Sequence, residues 1–391
     1  MISVSEALSI VTNTPYSLQS KTVSIREANE LILSSDIPSP IHMPPFRQSA
    51  MDGYALLLHK KDTYTVIGEV KAGDSEDFKL IPGQSVRIFT GAKVPDTADT
   101  IIIQENITRK DDIITINSTL NKGQNIRPLG EQIRKGDIAL SKGTKLTPSG
   151  IGFLAGLGIK NVDVYIPPSV AIIVTGNELV TPGEKLNSGQ IYESNSLQLE
   201  AVLSQLQIKT ITKYVVEDEY QSTKDTIEQA IQNHNLVLIS GGISVGDYDF
   251  VKEALSELKT EELFYKIKQK PGKPLFYGKN NSTLIFALPG NPASSLTCFY
   301  IYVLPIIQKM MGHKDIGLHR SHKTCITNFT KKGDRAQFLK AKISNETVEI
   351  LEGQSSAMLH TFAIANALVY LPEDKNQVIN GEMVETIYLS I

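Results

Sequence analysis

Apolar residues along this chain recur first at helical spacing, then in short alternating runs, then in unbroken blocks, and these changes of period divide it. Ser3 with Glu6, and Ser24 with Glu27, have capping-box spacing ahead of apolar-periodic stretches, so the first forty residues read as helical. The second stretch ends before Pro38, Pro40 and Pro44-Pro45. From about Gly53 to Leu140 the pattern turns β-rich, with runs at Tyr64 to Val70, Val86 to Thr90, Thr100 to Ile103 and Ile113 to Ile116. Turn residues between them include Gly73-Asp74, Pro82-Gly83 and Asp111-Asp112. Pro148 to Leu157 reads as a helix again. The expected arrangement is a β-rich domain, residues 41–140, inserted into a helical, elongated domain made of 1–40 and 141–166.

Pro167-Pro168 opens a different regime. Continuous apolar strands at Val170 to Val174, Leu236 to Ile239 and Thr283 to Leu288, and a strand from Lys209 to Val216, alternate with helical patterns. One helix carries Leu199, Val202, Leu203 and Leu206, the next Ile227, Ala230 and Ile231, and a third Phe250, Val251, Ala254, Leu255 and Leu258. A last helix starts at Asn291-Pro292, and Pro305 is expected to kink or shorten it. Strands apolar on both faces, alternating with helices, predict an open, mainly parallel sheet covered on each side. The fold class is therefore multidomain α/β plus β. A central three-layer α/β domain with a mainly parallel sheet spans 167–314, after the β-rich inserted domain. A small C-terminal β domain follows over 315–391, with strand patterns at Gln337 to Ile343 and Ala367 to Leu371.

Composition narrows the class of protein more than its chemistry. A chain of 391 residues with 41% hydrophobic and 21% charged residues is that of a soluble globular protein with several cores. A formal charge of −3 gives no general footprint for nucleic acid. No apolar run approaches the ~20 residues that span a bilayer, and the N-terminus lacks a basic region and apolar stretch for export. Only two cysteines occur, Cys298 and Cys325, so no disulfide framework is available and a cytoplasmic location, away from membranes, is expected. A thiophilic metal handled by such a chain must find its sulfur on the ligand.

Ligands of open parallel sheets bind beyond the carboxyl ends of the strands. Four polar clusters fall at such ends: Thr175 to Glu178, Glu217-Asp218, Ser240-Gly241-Gly242-Ile243-Ser244, and Pro289-Gly290-Asn291-Pro292. The glycine pair lets backbone approach an anion, Ser240 and Ser244 add hydroxyls, and Asn291 opens a helix whose first N–H groups suit phosphate. Lys266, Lys270 and Lys273 supply cations nearby in sequence. Any one cluster is equally an ordinary turn between strand and helix; four together point to a phosphorylated ligand. Glu178, Asp218, Asp247 and Asp249 would repel such a ligand unless Mg²⁺ bridges carboxylate and phosphate, or unless one of them is a general base.

Other features carry less. Asp52-Gly53, taken alone, reads as a turn. His319 and His322 lack a third ligand, and Cys298 sits on an apolar helix as a core residue would. There is no phosphate loop of the Walker type, no nucleophile elbow and no hydrolase triad.

Four stretches together resemble the molybdopterin molybdenumtransferases, the bacterial counterparts of the gephyrin E domain. They are Pro45 to Ala55 with its Ser49-Ala50-Met51-Asp52-Gly53-Tyr54-Ala55 core, Arg87 to Pro95, Ser240 to Asp249, and Lys270 to Pro274 with Leu288 to Pro292. The resemblance spans essentially the whole chain. It implies four domains, an elongated homodimer with a shared active site, and a third domain folded like the molybdopterin adenylyltransferases. The implied reaction cleaves the phosphoanhydride of adenylylated molybdopterin, releases AMP and places molybdate on the dithiolene, with Mg²⁺ assisting. By position, Asp52, Glu178, Asp218 and Asp249 match carboxylates implicated in the family's active site, the last three being the metal ligands expected here. Thr90, Lys266 and Lys270 match its polar and basic positions. Together with Ser240, Gly241, Gly242, Ser244, Lys273, Pro289, Gly290 and Asn291 they make up the expected substrate-binding set. An adenylyltransferase partner and recipient molybdoenzymes are also implied.

Arg47 and Gln48 follow Phe46 where an acidic residue is common, and Gln132 and Asn177 stand where the family often has Asp. Each change removes negative charge near the expected site. Two other functions compete with the transferase. An adenylyltransferase would make the AMP adduct with the same sheet, but is usually a lone α/β domain. A non-catalytic scaffold would need no retained Asp52 and Asp218, and this chain has no long linker for clustering.

Overall fold

Val170, Ile172 and Val174 point into one layer of packed side chains, and Ala171 and Ile173 into another. This period-2 split is what a strand covered on both faces requires. In this computed structural model, which describes residues 1–243 and 250–390, the strand Val170–Thr175 is internal to a six-stranded sheet. The order is Ile211–Val216, Val170–Thr175, Leu236–Ser240, Thr283–Leu288, Phe276–Asn280 and Glu261–Tyr265. The first four are parallel. The last two run antiparallel and extend one edge, a pair that the alternation of strand and helix did not predict. Half-exposed residues at 261–263 and 279–280 break their apolar runs, so neither read as a buried strand.

Leu199, Val202 and Leu203 of the helix Asn195–Gln205 pack on one face, together with the helical run over 292–310. Ile227 and Ala230 of Tyr220–Asn233, with Val251, Ala254 and Leu255 of Phe250–Glu257, cover the other. The three layers expected over 167–314 are present. Pro305 does not end its helix. A π turn, Phe299–Val303, joins Pro292–Cys298 to Leu304–Met310, and this wider turn accommodates the missing proline N–H.

The chain divides into two compact units, one of 1–21, 30–32 and 165–391, the other of 22–29 and 33–164. The N-terminal helix Val4–Asn13 has the expected capping box between Ser3 and Glu6. Its buried face, Val4, Ala7 and Val11, joins the core of the α/β layer rather than a helical domain shared with 141–166. Periodicity showed that the helix has an apolar face, but not which core receives it. The second helix expected after Ser24 is a single 3₁₀ turn, Ile25–Glu27. Glu30, at φ 68°, adopts a conformation that no α-helix continues through.

In the second unit a sheet of order Thr100–Ile103, Gly53–Leu56, Gln84–Ile88, Thr63–Val70, Ile113–Ile116 and Ile107–Lys110 carries apolar residues on both faces. Asp52-Gly53 is not a turn: Gly53 begins a strand between two neighbours, pairing with Ile88 and Ile103. A side chain there would meet the Ile102 carbonyl at 1.9 Å, so only glycine lets the strands close. Helix Pro148–Gly156 forms as expected.

The C-terminal strands close a small barrel, because Ala336–Ser344 pairs with both Thr347–Ile350 and Ala367–Leu371. The short strand Gln269–Lys270 adds to it in parallel. Lys340, 3% exposed, lies on the face of its strand opposite the barrel-core residues Leu339 and Ala341, and donates to the carbonyls of Gly353, Ser355 and Met358. Gln354 exchanges two hydrogen bonds with the Lys340 backbone, so the loop after this hairpin is tied to the barrel wall. Burial of the ammonium pulls its pKa down, but the three carbonyls serve its charged form. No helix among the described residues is long and apolar enough to cross a membrane.

Replacing Lys340 by Met keeps the length of the side chain and leaves three carbonyls without their donor. We expect a loss of about 2–4 kcal/mol in denaturant unfolding. A change below about 0.5 kcal/mol would mean that water serves the three carbonyls equally well.

Candidate functional site

Register decides where the polar residues gather. Val174 pairs with Ser240, Ser240 with Leu288, and Thr175 with Val216, so the four parallel strands end at one level. Just beyond that level lies a cleft of about 750 Å³. Each of the four expected clusters lines it: Thr175, Gly176 and Glu178; Asp218; Ser240 to Ile243; and Pro289 to Pro292. Gly241, at φ 99°, is where the backbone turns, and a β-carbon there would lie 2.8 Å from the Thr175 carbonyl. Beside the glycine pair, the Thr175 hydroxyl is buried with no hydrogen-bond partner among the described residues.

Asp218 and Asn177 are bound to each other reciprocally. The Asp218 N–H donates to Asn177 Oδ1 at 3.1 Å, and the Asn177 N–H approaches Asp218 Oδ2 at 3.4 Å. An Asp at 177 would bring a second carboxylate to this contact, so the departure from the family pattern has a local rationale. Glu178 and Asp218 both line the cleft, yet no group of three His, Cys, Asp or Glu residues suited to a metal occurs among the described residues. Ser244, Asp247 and Asp249 lie outside the described residues.

None of the three lysines lines this cleft, although Pro274 does. Lys266 stands over the Tyr265 ring at 4.6 Å. Lys270 lines a separate cleft of about 220 Å³ with Lys332, Gln337 and Gln354. The Lys273 carbonyl accepts from the Ile267 N–H. Residues 269–270 leave the α/β layer to join the barrel sheet, which proximity in sequence could not reveal.

One wall of the cleft was not anticipated. Tyr192, Glu193, Ser194 and Asn195 line it, between the short strand Ile191–Tyr192 and the helix that begins at Asn195. Glu193, 7% exposed, accepts from the Ser196 N–H at 2.8 Å and its hydroxyl at 2.5 Å, and pairs with Lys213 at 3.3 Å. Burial pushes its carboxyl up, but the bonds from Ser196 and Lys213 win, and the net shift is downward. Asn195 donates to Ser240 Oγ at 2.8 Å and to the Gly290 carbonyl at 2.7 Å. The sequence signal was a run of polar residues, Glu193-Ser194-Asn195-Ser196, directly before a helix.

In the other unit, Asp52 accepts from both the N–H and the hydroxyl of Thr90, each at 2.7 Å. These two bonds, the backbone one foremost, hold the Asp52 carboxyl below its ordinary pKa, helped by Arg87. Arg87 lies over the Phe89 ring at 4.7 Å and donates to the Gly53 carbonyl at 2.8 Å. The two departures before Asp52 serve the backbone: Arg47 donates to the carbonyls of Asp96 and Ala98, and Gln48 to that of Gly91. Gln132 is exposed, its N–H donating to the Met43 carbonyl.

Residues 2–158 match the MoeA N-terminal region (domain I and II), 171–309 a probable molybdopterin binding domain, and 324–389 the MoeA C-terminal region (domain IV). The chain is similar to a molybdopterin molybdenumtransferase of Haemophilus influenzae, with 35% identity over 95% of this chain and 94% of that protein. It is also similar to one of Staphylococcus aureus, with 30% identity over 99% and 95%. Among solved structures it matches a molybdopterin biosynthesis MoeA protein of Pyrococcus horikoshii with a TM-score of 0.85 and 30% identity, each chain covered completely. A second structure from the same organism matches with a TM-score of 0.83 and 28% identity, over 99% of this chain and 100% of that one.

The Glu193 network carries a pH signature. Its folded pKa lies below the ordinary 4.5, so its contribution is present above that value and is lost as pH falls through the folded pKa. Glu193→Gln should therefore unfold more easily than the parent at neutral pH, and the gap should narrow below about pH 4.5. A gap constant from pH 7 to 3 would remove the ionised carboxylate from this explanation.

Proposed function

The chain belongs to the molybdopterin molybdenumtransferase family, and we propose that it inserts molybdate into adenylylated molybdopterin with release of AMP, the last step of molybdenum cofactor synthesis. The observation that supports this reading best is the convergence of four strand-end loops on one cleft of about 750 Å³. That volume suits a nucleotide-sized ligand. Three of the loops bring glycine, two of these also a hydroxyl, and two loops bring a carboxylate. Ser240 and the unpartnered Thr175 hydroxyl would donate to phosphate oxygens, while Gly241, Gly242 and Gly290 let the anion approach the backbone. The helix opening at Asn291-Pro292 would favour the same charge.

Mg²⁺ is held by one or two carboxylates together with substrate oxygens and water, so Glu178 and Asp218 on one cleft fit it without a cage made wholly of protein. Asp249 would join them by the family resemblance. Bound there, the ion would neutralise the pyrophosphate and favour departure of AMP. Asp52, kept ionised by Thr90, would orient the attacking oxygen rather than store a proton. Lys266, Lys270 and Lys273 would meet the charge of molybdate or of the phosphates. The dithiolene supplies both sulfurs, consistent with a chain whose two cysteines are buried.

The proposed setting is cytoplasmic, with an adenylyltransferase supplying the adduct and molybdoenzymes receiving the product. The proposed domains are 1–40 with 141–166, 41–140, 167–314 and 315–391, the helix Val4–Asn13 of the first packing on the α/β core. The working form is a homodimer with shared sites, in which Asp52 serves the cleft of the other subunit. This last point rests on the family resemblance and on the exposure of Asp52.

Incubation with adenylylated molybdopterin, molybdate and Mg²⁺ should release AMP, read by chromatography, and leave molybdenum on the pterin, read by mass spectrometry. Asp218→Asn should slow AMP release at least about 100-fold with little change in melting temperature, and chelation should stop it. Net formation of the adduct from ATP would indicate an adenylyltransferase instead. Full activity under thorough chelation would remove the metal.

Mixing inactive Asp52→Ala and Asp218→Ala subunits under exchange tests the shared site. Random pairing makes about half the dimers mixed, each with one intact site, so about a quarter of the parent activity should return. No recovery after confirmed exchange would end the shared-site proposal.

A further inference from the structure

We propose that Asn195 is a positioning residue of the cleft, fixing the Ser240 and Gly290 loops relative to each other and presenting the Ser240 proton to the anionic ligand. The inference rests on the functional reading above and concerns how that site is held. The Gly290 carbonyl can only accept, so the Asn195 amide nitrogen must be the atom beside it, at 2.7 Å. The same nitrogen lies 2.8 Å from Ser240 Oγ. Asn195 thus spends both amide protons on two different strand ends. Ser240 accepts in this contact, which leaves its own proton to be donated to another acceptor.

The amide is itself held from behind. Asn195 Oδ1 accepts from Gln198 Nε2 at 3.1 Å, and the same nitrogen is 3.1 Å from the Pro292 carbonyl. Gln198 Oε1, by contrast, is buried without a partner among the described residues. A fold selected for stability alone would satisfy that oxygen or replace the side chain by an apolar one. Retaining Gln198 at this cost keeps Asn195 in one orientation. Glu193, Ser196 and Lys213 pin the same turn from the other side. Charged transition states are stabilised by donors set in place beforehand, so loss of this clamp should be felt in turnover more than in binding.

The test uses the full chain, with AMP release as the assay and thermal unfolding alongside it. Asn195→Ala should lower kcat about 100-fold while KM for adenylylated molybdopterin moves less than about fivefold. Asn195→Asp, equal in size, should be worse than Ala, because it sets an acceptor against the Gly290 carbonyl and charge beside the ligand. Gln198→Leu removes the unpaired oxygen along with the donor to Asn195 Oδ1 and the Pro292 carbonyl, so these losses offset and its melting temperature should change little while kcat falls about tenfold. That pairing of retained stability with lost turnover is not expected of a merely structural residue, and it stands even if Asn195→Ala does not fold. Parent-like kcat in Gln198→Leu, or in a folded Asn195→Ala, overturns the inference alone. A parent protein that releases no AMP overturns the functional reading instead.

Discussion

The site depends on one constraint, which is that the central strands of the parallel sheet are buried on both faces. Val170 through Val174 and Leu236 through Ile239 are at most 1% exposed, so a polar side chain within them would lose water without a partner. Polarity is thereby driven to the strand ends, and parallel pairing puts four of those ends at the same height. The cleft follows from the sheet's burial and register. The loops decide its chemistry, with glycine at 241 where the backbone must turn back against Thr175, and carboxylates at 178 and 218 on the cleft lining.

This explains why so much of the α/β layer was legible in sequence. An unbroken apolar run has one meaning when helices flank it, and the polar residue that ends it marks the ligand side. Legibility failed where the signal was weaker or not local. The strands Glu261–Tyr265 and Phe276–Asn280 are partly exposed and short, and pairing with each other makes them strands. The N-terminal helix showed its apolar face, but the choice of core is a long-range event. Asp52-Gly53 was undervalued for a similar reason. Its glycine answers to a carbonyl some fifty residues away, at Ile102.

At the cleft, the lining residues that follow the long apolar strands were legible in sequence, and the wall over residues 192–195 was not. Glu193 follows only a two-residue strand and Asn195 begins a helix, so neither has the glycine or the long apolar strand that drew notice elsewhere. The lysines show a different limit. Closeness in sequence to the sheet suggested that all three belong to the cleft, whereas the chain after Ile267 departs to the barrel and takes Lys270 with it. Two cationic side chains, Lys270 and Lys332, consequently share a smaller cleft with Gln337 and Gln354.

Electrostatics gives that separation a consequence. The main cleft presents Glu178 and Asp218 with no lysine on its lining, an arrangement that disfavours a bare polyanion and favours one that arrives with a divalent cation. The neutral Asn177 fits the same logic, since it binds Asp218 through an amide and adds no further negative charge. Asp52 is treated differently. Two bonds from Thr90 stabilise its charge within its own unit, so it is ionised before any ligand is present. The acidic groups thus stand in two settings, Glu178 and Asp218 on the cleft lining and Asp52 held as an anion by the N–H and hydroxyl of Thr90. That division suits a reaction in which a phosphoanhydride must be held without repulsion while an oxygen nucleophile is oriented against it.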